Sequence, residues 1–150
     1  MVISDRVVKE SLRLFYGVPG KNPRVTPPGG TTLCGKSIPG GIVLSMSAYT
    51  YHHDPAYFST HPHDEFRPER WLKKEDAEWS EKFWFPFGRG SRNCLGQNLA
   101  AATLYISFAY LFRHFELEIF ETTKEDMDWH DGLLPTTFGY LKEKAKRIRE

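Results

Sequence analysis

The sequence predicts an α+β fold, with helices at both ends of a small antiparallel sheet. Three observations support this expectation: an apolar stripe at helical spacing near the amino terminus, short β-branched segments separated by Pro and Gly, and one long apolar run in the second half. With 150 residues, of which 40% are hydrophobic, the chain is large enough for one core. We therefore expect residues 1–150 to form a single domain.

The first predicted element is a helix that ends near Phe15. Ser4 or Asp5 can cap its start, and Val8, Leu12 and Phe15 fall on one face. Glycine and proline residues follow directly, and they end the helix.

A small hairpin sheet is predicted next, because prolines and glycines punctuate residues 21–41. The β-branched segments between and just after them are residues 24–26, 31–33 and 42–44. A loop rich in His, Asp and Pro follows from residue 52 to 70, and the charged segment 73–82 is expected to be solvated.

The second half is predicted to contain a loop, a helix and a strand. The loop of residues 83–96 leads into an apolar helix over residues 97–114, which we expect to be buried. Its aromatic residues are expected in the core: Tyr105, Phe108, Tyr110 and Phe112. Apolar and acidic residues alternate over residues 115–119, which predicts a strand, and the mixed-charge tail 142–150 is expected to be exposed.

Composition and charge exclude several classes of function. Twenty basic and nineteen acidic residues give a net charge of +1, so no strong field attracts nucleic acid or an anionic membrane. Two cysteines, Cys34 and Cys94, are too few for a disulfide framework or a four-cysteine zinc site. The start lacks signal-peptide features, and the apolar run 99–112 is shorter than the roughly 20 residues of a membrane span.

The loop before the apolar helix contains residues suited to haem ligation. Cys94 precedes the helix, whose free N–H groups and positive end favour a thiolate. Gly90 and Gly96 allow the backbone to approach a flat ligand, Arg92 offers a planar fork to a carboxylate, and Phe87 can shield the sulfur from water. Such a thiolate is suited to bind haem iron. The alternative is that Cys94 is a small buried hydrophobe.

The same loop resembles the haem-binding signature of the cytochrome P-450 family, Phe-x-x-Gly-x-Arg-x-Cys-x-Gly. All five fixed positions match: Phe87, Gly90, Arg92, Cys94 and Gly96. The resemblance implies the carboxy-terminal part of a mainly α fold, with the family's K and L helices and a small antiparallel sheet. It also implies that Cys94 is the proximal iron ligand and catalytic centre, that Arg92 holds a haem propionate, and that the other three residues shape the loop.

Two further motifs resemble the same family. Glu10 and Arg13 match the Glu-x-x-Arg motif of the K helix, and residues three apart share a helix face. Segment 66–71 resembles the family's Pro-Glu-Arg motif, whose Arg70 would complete a structural network with Glu10 and Arg13 beneath the haem. Arg24 falls where the family has a basic residue over a propionate. A solvated arginine at a strand end is the alternative for Arg24.

The resemblance implies a monooxygenase that contains haem b. Members of the family use molecular oxygen, a small apolar organic substrate and electrons from an NADPH-dependent reductase. Segment 35–68 is most similar to filamentous-fungal members, which are anchored to the endoplasmic reticulum. This chain shows no anchor, so the cytoplasm is the alternative location. Segments 18–20 and 133–138 resemble substrate contacts of the family, and no nucleic acid is expected as a partner.

The resemblance covers essentially the whole of this chain, but it covers only the carboxy-terminal part of the family's sequence, from the K helix onward. We therefore expect the chain alone to be an incomplete monooxygenase, without the distal helix that delivers protons to oxygen. Thr103 stands where the family often has Glu. Lys82, Arg89 and Arg113 could form a basic face for a reductase, or simply a solvated rim.

Two other functions are alternatives to a monooxygenase. The first is a haem-binding remnant without turnover. The second is a zinc-binding module built on four closely spaced histidines: His52, His53, His61 and His63.

Overall fold

The computed structural model describes residues 2–15, 17–58, 62–132 and 134–148, with the backbone alone for residues 2–4. Within these ranges the helices are α1 (Val2–Leu14), α2 (Ala48–His52), α3 (Lys74–Phe83) and α4 (Gln97–His114). Short 3-10 helices cover Pro68–Trp71 and Glu125–Met127. The mixture of helices and antiparallel strands confirms the predicted α+β class.

The strands form two-stranded antiparallel sheets. They are β1 (Asn22–Val25), β2 (Thr31–Leu33), β3 (Lys36–Ile38), β4 (Val43–Met46), β5 (Phe115–Ile119), β6 (Trp129–Gly132), β7 (Leu134–Thr137) and β8 (Glu143–Arg147). The pairs are β1 with β4, β2 with β3, β5 with β8, and β6 with β7. The three predicted segments of the hairpin sheet therefore form strands, and β3 is an addition that the prediction lacked.

The buried centre of the described chain lies where α1 meets α2 and the 3-10 helix Pro68–Trp71. Its apolar members are Val8, Phe58 and Trp71, and more polar side chains than apolar ones are buried. The fully buried ones include Glu10, Arg13, His52 and Arg70. Such a centre is stable only if each buried polar group finds a partner.

Helix α1 ends at Leu14, next to the predicted end near Phe15, but its start differs from the prediction. It begins at Val2 rather than at a cap on Ser4 or Asp5, and the side chain of Ser4 lies outside the described residues. Asp5 instead accepts a hydrogen bond of 2.6 Å from the Tyr105 hydroxyl on α4. Phe15 directly follows the helix and is 55% exposed, whereas Val8 on the predicted apolar face is buried.

Helix α4 is not buried, which corrects the expectation that the apolar helix and its aromatic residues lie in the core. None of its residues is buried, and Tyr110 and Phe112 are 60% and 62% exposed. Tyr105 and Phe108 are half-buried. The helix packs against α1 and continues into β5, which leaves most of its surface uncovered by the described residues. A helix that is apolar on all sides is typical of the interior of a larger protein.

Segments expected as charged surface contain regular structure. Residues 74–83 form α3, which is mostly exposed although Ser80 is buried. The described part of the tail, residues 142–148, is exposed as predicted, but residues 143–147 form β8, which pairs with β5. Glu116 lies opposite Lys146 and Glu118 opposite Lys144, and such cross-strand pairs of opposite charge favour this register.

No helix in the described ranges has the length and apolar character needed to cross a membrane.

Candidate functional site

The segment from α3 to α4, residues 84–96, is called the cysteine loop below. The Asn93 N–H donates to the Gly90 carbonyl at 3.1 Å, and the Cys94 N–H donates to the Phe87 carbonyl at 2.8 Å. These bonds close the loop on itself just before α4 begins. The Cys94 side chain is exposed at the end of this closed loop, and Phe87 is half-buried.

The glycines of the cysteine loop serve different physical needs. Gly88 and Gly90 have φ angles of +77° and +86°, in the left-handed region that favours glycine. A Cβ on Gly90 would meet no atom within 4 Å, so the requirement there is conformational rather than steric. Gly96 has an ordinary negative φ, and a Cβ there would lie 3.9 Å from the Cys94 sulfur. Its missing side chain therefore leaves space beside the sulfur.

A cleft of about 700 Å³ lies between β1 and the cysteine loop. Residues 23–25 of β1 form one wall, and residues 91–93 and Leu95 of the cysteine loop form the other. Arg24 and Arg92, which the sequence predicted as propionate partners, thus lie on opposite walls of one cleft. Cys94 lies between two lining residues, Asn93 and Leu95.

The electrostatics of this cleft suit an anion. Arg24 donates to the Pro23 carbonyl at 2.8 Å, and both arginines are exposed. In the described part of the chain neither guanidinium forms a salt bridge with a carboxylate. The walls also present apolar surface, because Val25 and Leu95 are 67% and 101% exposed. The cleft can therefore hold a partly apolar ligand that carries carboxylates.

Beneath the cysteine loop lies a fully buried ion cluster. Glu10 accepts two hydrogen bonds from Arg13, at 2.9 and 3.0 Å, and one from Arg70 at 3.3 Å. All three side chains are shielded completely from solvent. The structure thus brings together the three residues predicted as a structural network.

Two more donors complete the shell around Glu10. The Trp71 indole N–H and the Arg67 backbone N–H each donate to the carboxylate at 3.0 Å. Burial raises the pKa of Glu10, but the hydrogen bonds and charge of Arg13, with Arg67 N–H and the charge of Arg70, outweigh burial and hold that pKa below its usual value. Glu10 is therefore a stable buried carboxylate.

The two arginines also bind backbone carbonyls at the end of α2 and in the long loop that follows it. Arg13 donates to the carbonyls of His52, His63 and Glu65, at 2.8, 2.6 and 3.0 Å. Arg70 donates to the carbonyls of Phe58 and Pro62, at 3.4 and 3.0 Å. The cluster therefore fastens this loop to α1.

His52 is a site residue whose role sequence reasoning missed. It was considered as a zinc ligand, whereas its ring is fully buried and its Nε2 accepts a 3.1 Å hydrogen bond from the Phe85 N–H. Burial, followed by the charge of Arg13, lowers the pKa of His52 to about 4, so the ring is neutral at pH 7. In the described part of the chain no three His, Cys, Asp or Glu side chains form a metal-binding group, and His61 lies outside it.

Two tryptophans were also missed. The Trp71 indole donates to Glu10, and its position inside the resembling segment 66–71 was the available signal. The Trp84 indole donates to the Lys9 carbonyl at 3.1 Å and so fixes the start of the cysteine loop on α1. No sequence pattern pointed to this contact between residues 75 positions apart.

The predicted basic face is only partly assembled. Arg89 donates to the Lys82 carbonyl at 2.9 Å, which places these two residues together at the start of the cysteine loop. Arg113 lies in the last turn of α4, about 24 Å along the helix axis from the helix start.

Thr103, on the same helix, donates its hydroxyl to the Leu99 carbonyl at 2.9 Å.

A second cleft, of about 620 Å³, joins the two segments that resemble substrate contacts. Pro19 lies on one side and Phe138 on the other, with Tyr49, Trp129 and two aspartates between them. Leu133, at the start of the second segment, lies outside the described residues.

Comparison with known proteins defines the class of this fold and site. The sequence model of the family described as cytochrome P-450 matches residues 1–142. The chain therefore belongs to the cytochrome P-450 family. The fold agrees: the structure of retinoic-acid-bound cyanobacterial CYP120A1 superposes with a TM-score of 0.81 at 23% identity, covering 97% of this chain and 32% of that one.

Fungal monooxygenases are among the relatives. The chain is 38% identical to cytochrome P-450 monooxygenase asqL of Emericella nidulans over 143 residues, or 95% of this chain and 29% of that protein. It is 40% identical to penB of Penicillium thymicola and 43% identical to ankB of Aspergillus thermomutatus, again over 95% of this chain. The matched regions make up 32% of penB and 27% of ankB, so the chain spans about three tenths of the length of these relatives.

Proposed function

We propose that this chain is the haem-binding part of a cytochrome P-450 monooxygenase, in which the Cys94 thiolate is the proximal ligand of the iron of haem b. One observation carries the proposal. Cys94, whose side chain is exposed, lies between Asn93 and Leu95, two residues that line a cleft with Arg24 on one wall and Arg92 on the other.

The residues of the cleft fit haem b. This group is flat and largely apolar, and it carries two propionates and one iron. Arg24 and Arg92 supply one guanidinium each for the propionates, and both are free of salt bridges with described carboxylates. Val25 and Leu95 supply apolar surface, and the sulfur supplies a soft ligand.

Several residues prepare Cys94 for this role. The bond from its own N–H to the Phe87 carbonyl fixes the backbone at the ligand. The φ of Gly90 makes the turn that precedes it, and the missing side chain of Gly96 keeps the space beside the sulfur open. Phe87, whose carbonyl accepts this bond, is half-buried and so anchors the backbone before Cys94. Glu10, Arg13 and Arg70 hold the underlying loop without touching the ligand.

The activity of the intact enzyme follows from its family. When bound, the haem supplies oxygen activation: one oxygen atom enters an organic substrate and the other leaves as water. We propose an NADPH-dependent reductase as electron donor, with Lys82 and Arg89 on the docking face, and a small apolar substrate over the second cleft. By resemblance to fungal members, the intact enzyme belongs at the endoplasmic reticulum membrane.

Substitution of the two cysteines tests the proposal. After haem loading, reduction and addition of carbon monoxide, Cys94→Ala should lose the strongly red-shifted Soret band of thiolate-ligated haem. Cys34→Ala is the matched control, because Cys34 is the other exposed cysteine and lies in the β2–β3 turn, away from the cleft lining. A red-shifted band retained in Cys94→Ala, or lost in Cys34→Ala, would contradict the assignment.

A further inference from the structure

The proposed function leaves His52 without a role, although this ring is fully buried between the ion cluster and the cysteine loop. We propose that His52 is a positioning residue: its ring accepts the Phe85 N–H and thereby fastens the cysteine loop to the buried cluster of Glu10 and Arg13. The importance of this link for the thiolate rests on the proposed function, whereas the link itself does not.

The first step is the contact of the ring. Nε2 of His52 lies 3.1 Å from the backbone nitrogen of Phe85, and an N–H can only donate, so Nε2 is the acceptor. The imidazole also packs against two aromatic rings, with centroid distances of 5.3 Å to Phe85 and 6.0 Å to Phe58. The ring is thus held in one orientation by packing as well as by its hydrogen bond.

The second step runs from His52 to the ion cluster. Its own carbonyl accepts a hydrogen bond of 2.8 Å from Arg13, and Arg13 forms two bonds with the Glu10 carboxylate. One residue therefore binds the ion cluster through its backbone and the cysteine loop through its side chain. Two described hydrogen bonds therefore connect Arg13 to the cysteine loop through His52.

The third step runs from Phe85 to the sulfur-bearing residue. The Phe85 carbonyl accepts from the Gly88 N–H at 2.9 Å, and the Phe87 carbonyl accepts from the Cys94 N–H at 2.8 Å. A shift of Phe85 therefore moves the turn that positions the Cys94 backbone. The Phe85 N–H is part-buried, and loss of its acceptor would leave it without this partner, so we expect the loop to rearrange if His52 cannot accept.

A pair of substitutions separates the hydrogen bond from the volume of the side chain. Gln at position 52 retains an acceptor near the place of Nε2, whereas Leu fills similar space without one. His53→Gln is the control, since this adjacent half-buried ring stacks on Tyr49 with a centroid distance of 4.4 Å. Residue-resolved amide exchange is measured first, on the chain before haem loading, and the reduced carbon-monoxide spectrum second.

In His52→Leu, exchange of the Phe85, Gly88 and Cys94 amides should accelerate about tenfold or more, while amides within α4 keep their protection. The thiolate-type Soret band should shrink in favour of the band of a neutral or lost thiol ligand. His52→Gln should restore both properties toward the original chain.

Unchanged protection of the Phe85 amide in His52→Leu would overturn the proposal. If His52→Leu does not fold, His52→Gln decides: retained protection at Phe85 supports the link, and lost protection with α4 intact overturns it. The exchange measurement needs no haem, so it decides the role of His52 even if the unsubstituted chain shows no thiolate band and the proposed function fails.

Discussion

At the scale of single residues, Glu10 is the most demanding group in the molecule. A carboxylate removed entirely from water is unfavourable unless its lone pairs are all used and its charge is balanced. Here five N–H groups, from Arg13, Arg70, Trp71 and Arg67, surround it. The same contacts stabilise the guanidiniums of Arg13 and Arg70, because each would otherwise be a buried cation without a counter-charge.

Replacement of Glu10 should therefore be severe. Glu10→Gln leaves Arg13 and Arg70 buried without their counter-charge, and we expect a loss of about 3–5 kcal/mol in the free energy of unfolding. Chemical denaturation of the two proteins measures the loss. Glu81→Gln is the control, because Glu81 pairs with Lys9 at 2.7 Å but is half exposed; its cost should be about 1 kcal/mol or less. Equal losses in the two variants would refute the account of the buried cluster.

His52 should make stability depend on pH in a defined window. The unfolded chain binds a proton at this ring near pH 6.5, whereas burial and the charge of Arg13 lower its pKa to about 4 in the folded chain. Between these values the unfolded state binds more protons, so stability falls with falling pH, by about 3 kcal/mol over the window. Two other titratable groups lie near the ring. His53 also has a lowered pKa, so its protonation adds to the loss of stability as the pH falls. The pKa of Glu10 is lowered from 4.5, so Glu10 changes the stability only below about pH 4.5.

Denaturation midpoints between pH 7 and pH 4 test this dependence. His52→Gln removes the titrating ring, so its stability should change less over the same range than that of the original chain. Parallel pH profiles for the two proteins would show that His52 does not titrate as the structure implies.

At the scale of elements, the cysteine loop depends on backbone geometry more than on packing. Gly90 has a φ of +86°, and nothing near it would obstruct a methyl group. Because a left-handed conformation costs a residue with a Cβ about 1–2 kcal/mol, the turn before Cys94 would relax if Gly90 were replaced.

Gly90→Ala should lower the fraction of haem-loaded chain that shows the thiolate-type Soret band, since the relaxed turn displaces the Cys94 backbone. We also expect a loss of about 1–2 kcal/mol in the free energy of unfolding. Gly29→Ala is the matched control, because this glycine also has open space around it and does not have a positive φ. Identical spectra for the two variants would show that the turn at Gly90 does not control the ligand.

The predictability of the elements follows from the range of the contacts involved. The hairpin segments, α4 and β5 could be predicted because local periodicity and turn residues encode them. The cysteine loop could be recognised as a motif because its residues are contiguous. The roles of His52 and Trp84 could not be predicted from the sequence, since their partners Phe85 and Lys9 lie 33 and 75 positions away. Strand β8 was missed because its mixed-charge sequence has no strand periodicity and its partner β5 is distant in the sequence.

At the scale of the whole molecule, the error about α4 has a physical reason. An apolar run indicates burial somewhere, but it does not indicate which residues provide the cover. In the described chain α1 covers one side, while Ile106, Tyr110 and Phe112 remain more than half exposed. The relatives are about three times as long as this chain, so most of the family's fold lies outside the segment compared.

Each of the two clefts is bounded by segments that lie far apart in the sequence of this chain. The first is bounded by β1 and the cysteine loop, and it is lined by Arg24 and Arg92 and by the two chain neighbours of Cys94, Asn93 and Leu95. The second is bounded by the segments around Pro19 and Phe138. Both walls of the first cleft belong to this chain, and therefore haem binding by the chain itself is the claim to test first.

The absorption spectrum of the purified chain, loaded with haem, reduced and exposed to carbon monoxide, tests that claim most directly. Ligation by Cys94 predicts the strongly red-shifted Soret band of a thiolate-bound iron. A folded, monodisperse chain that takes up haem without this band, or takes up none, would contradict the assignment of Cys94 as the proximal ligand.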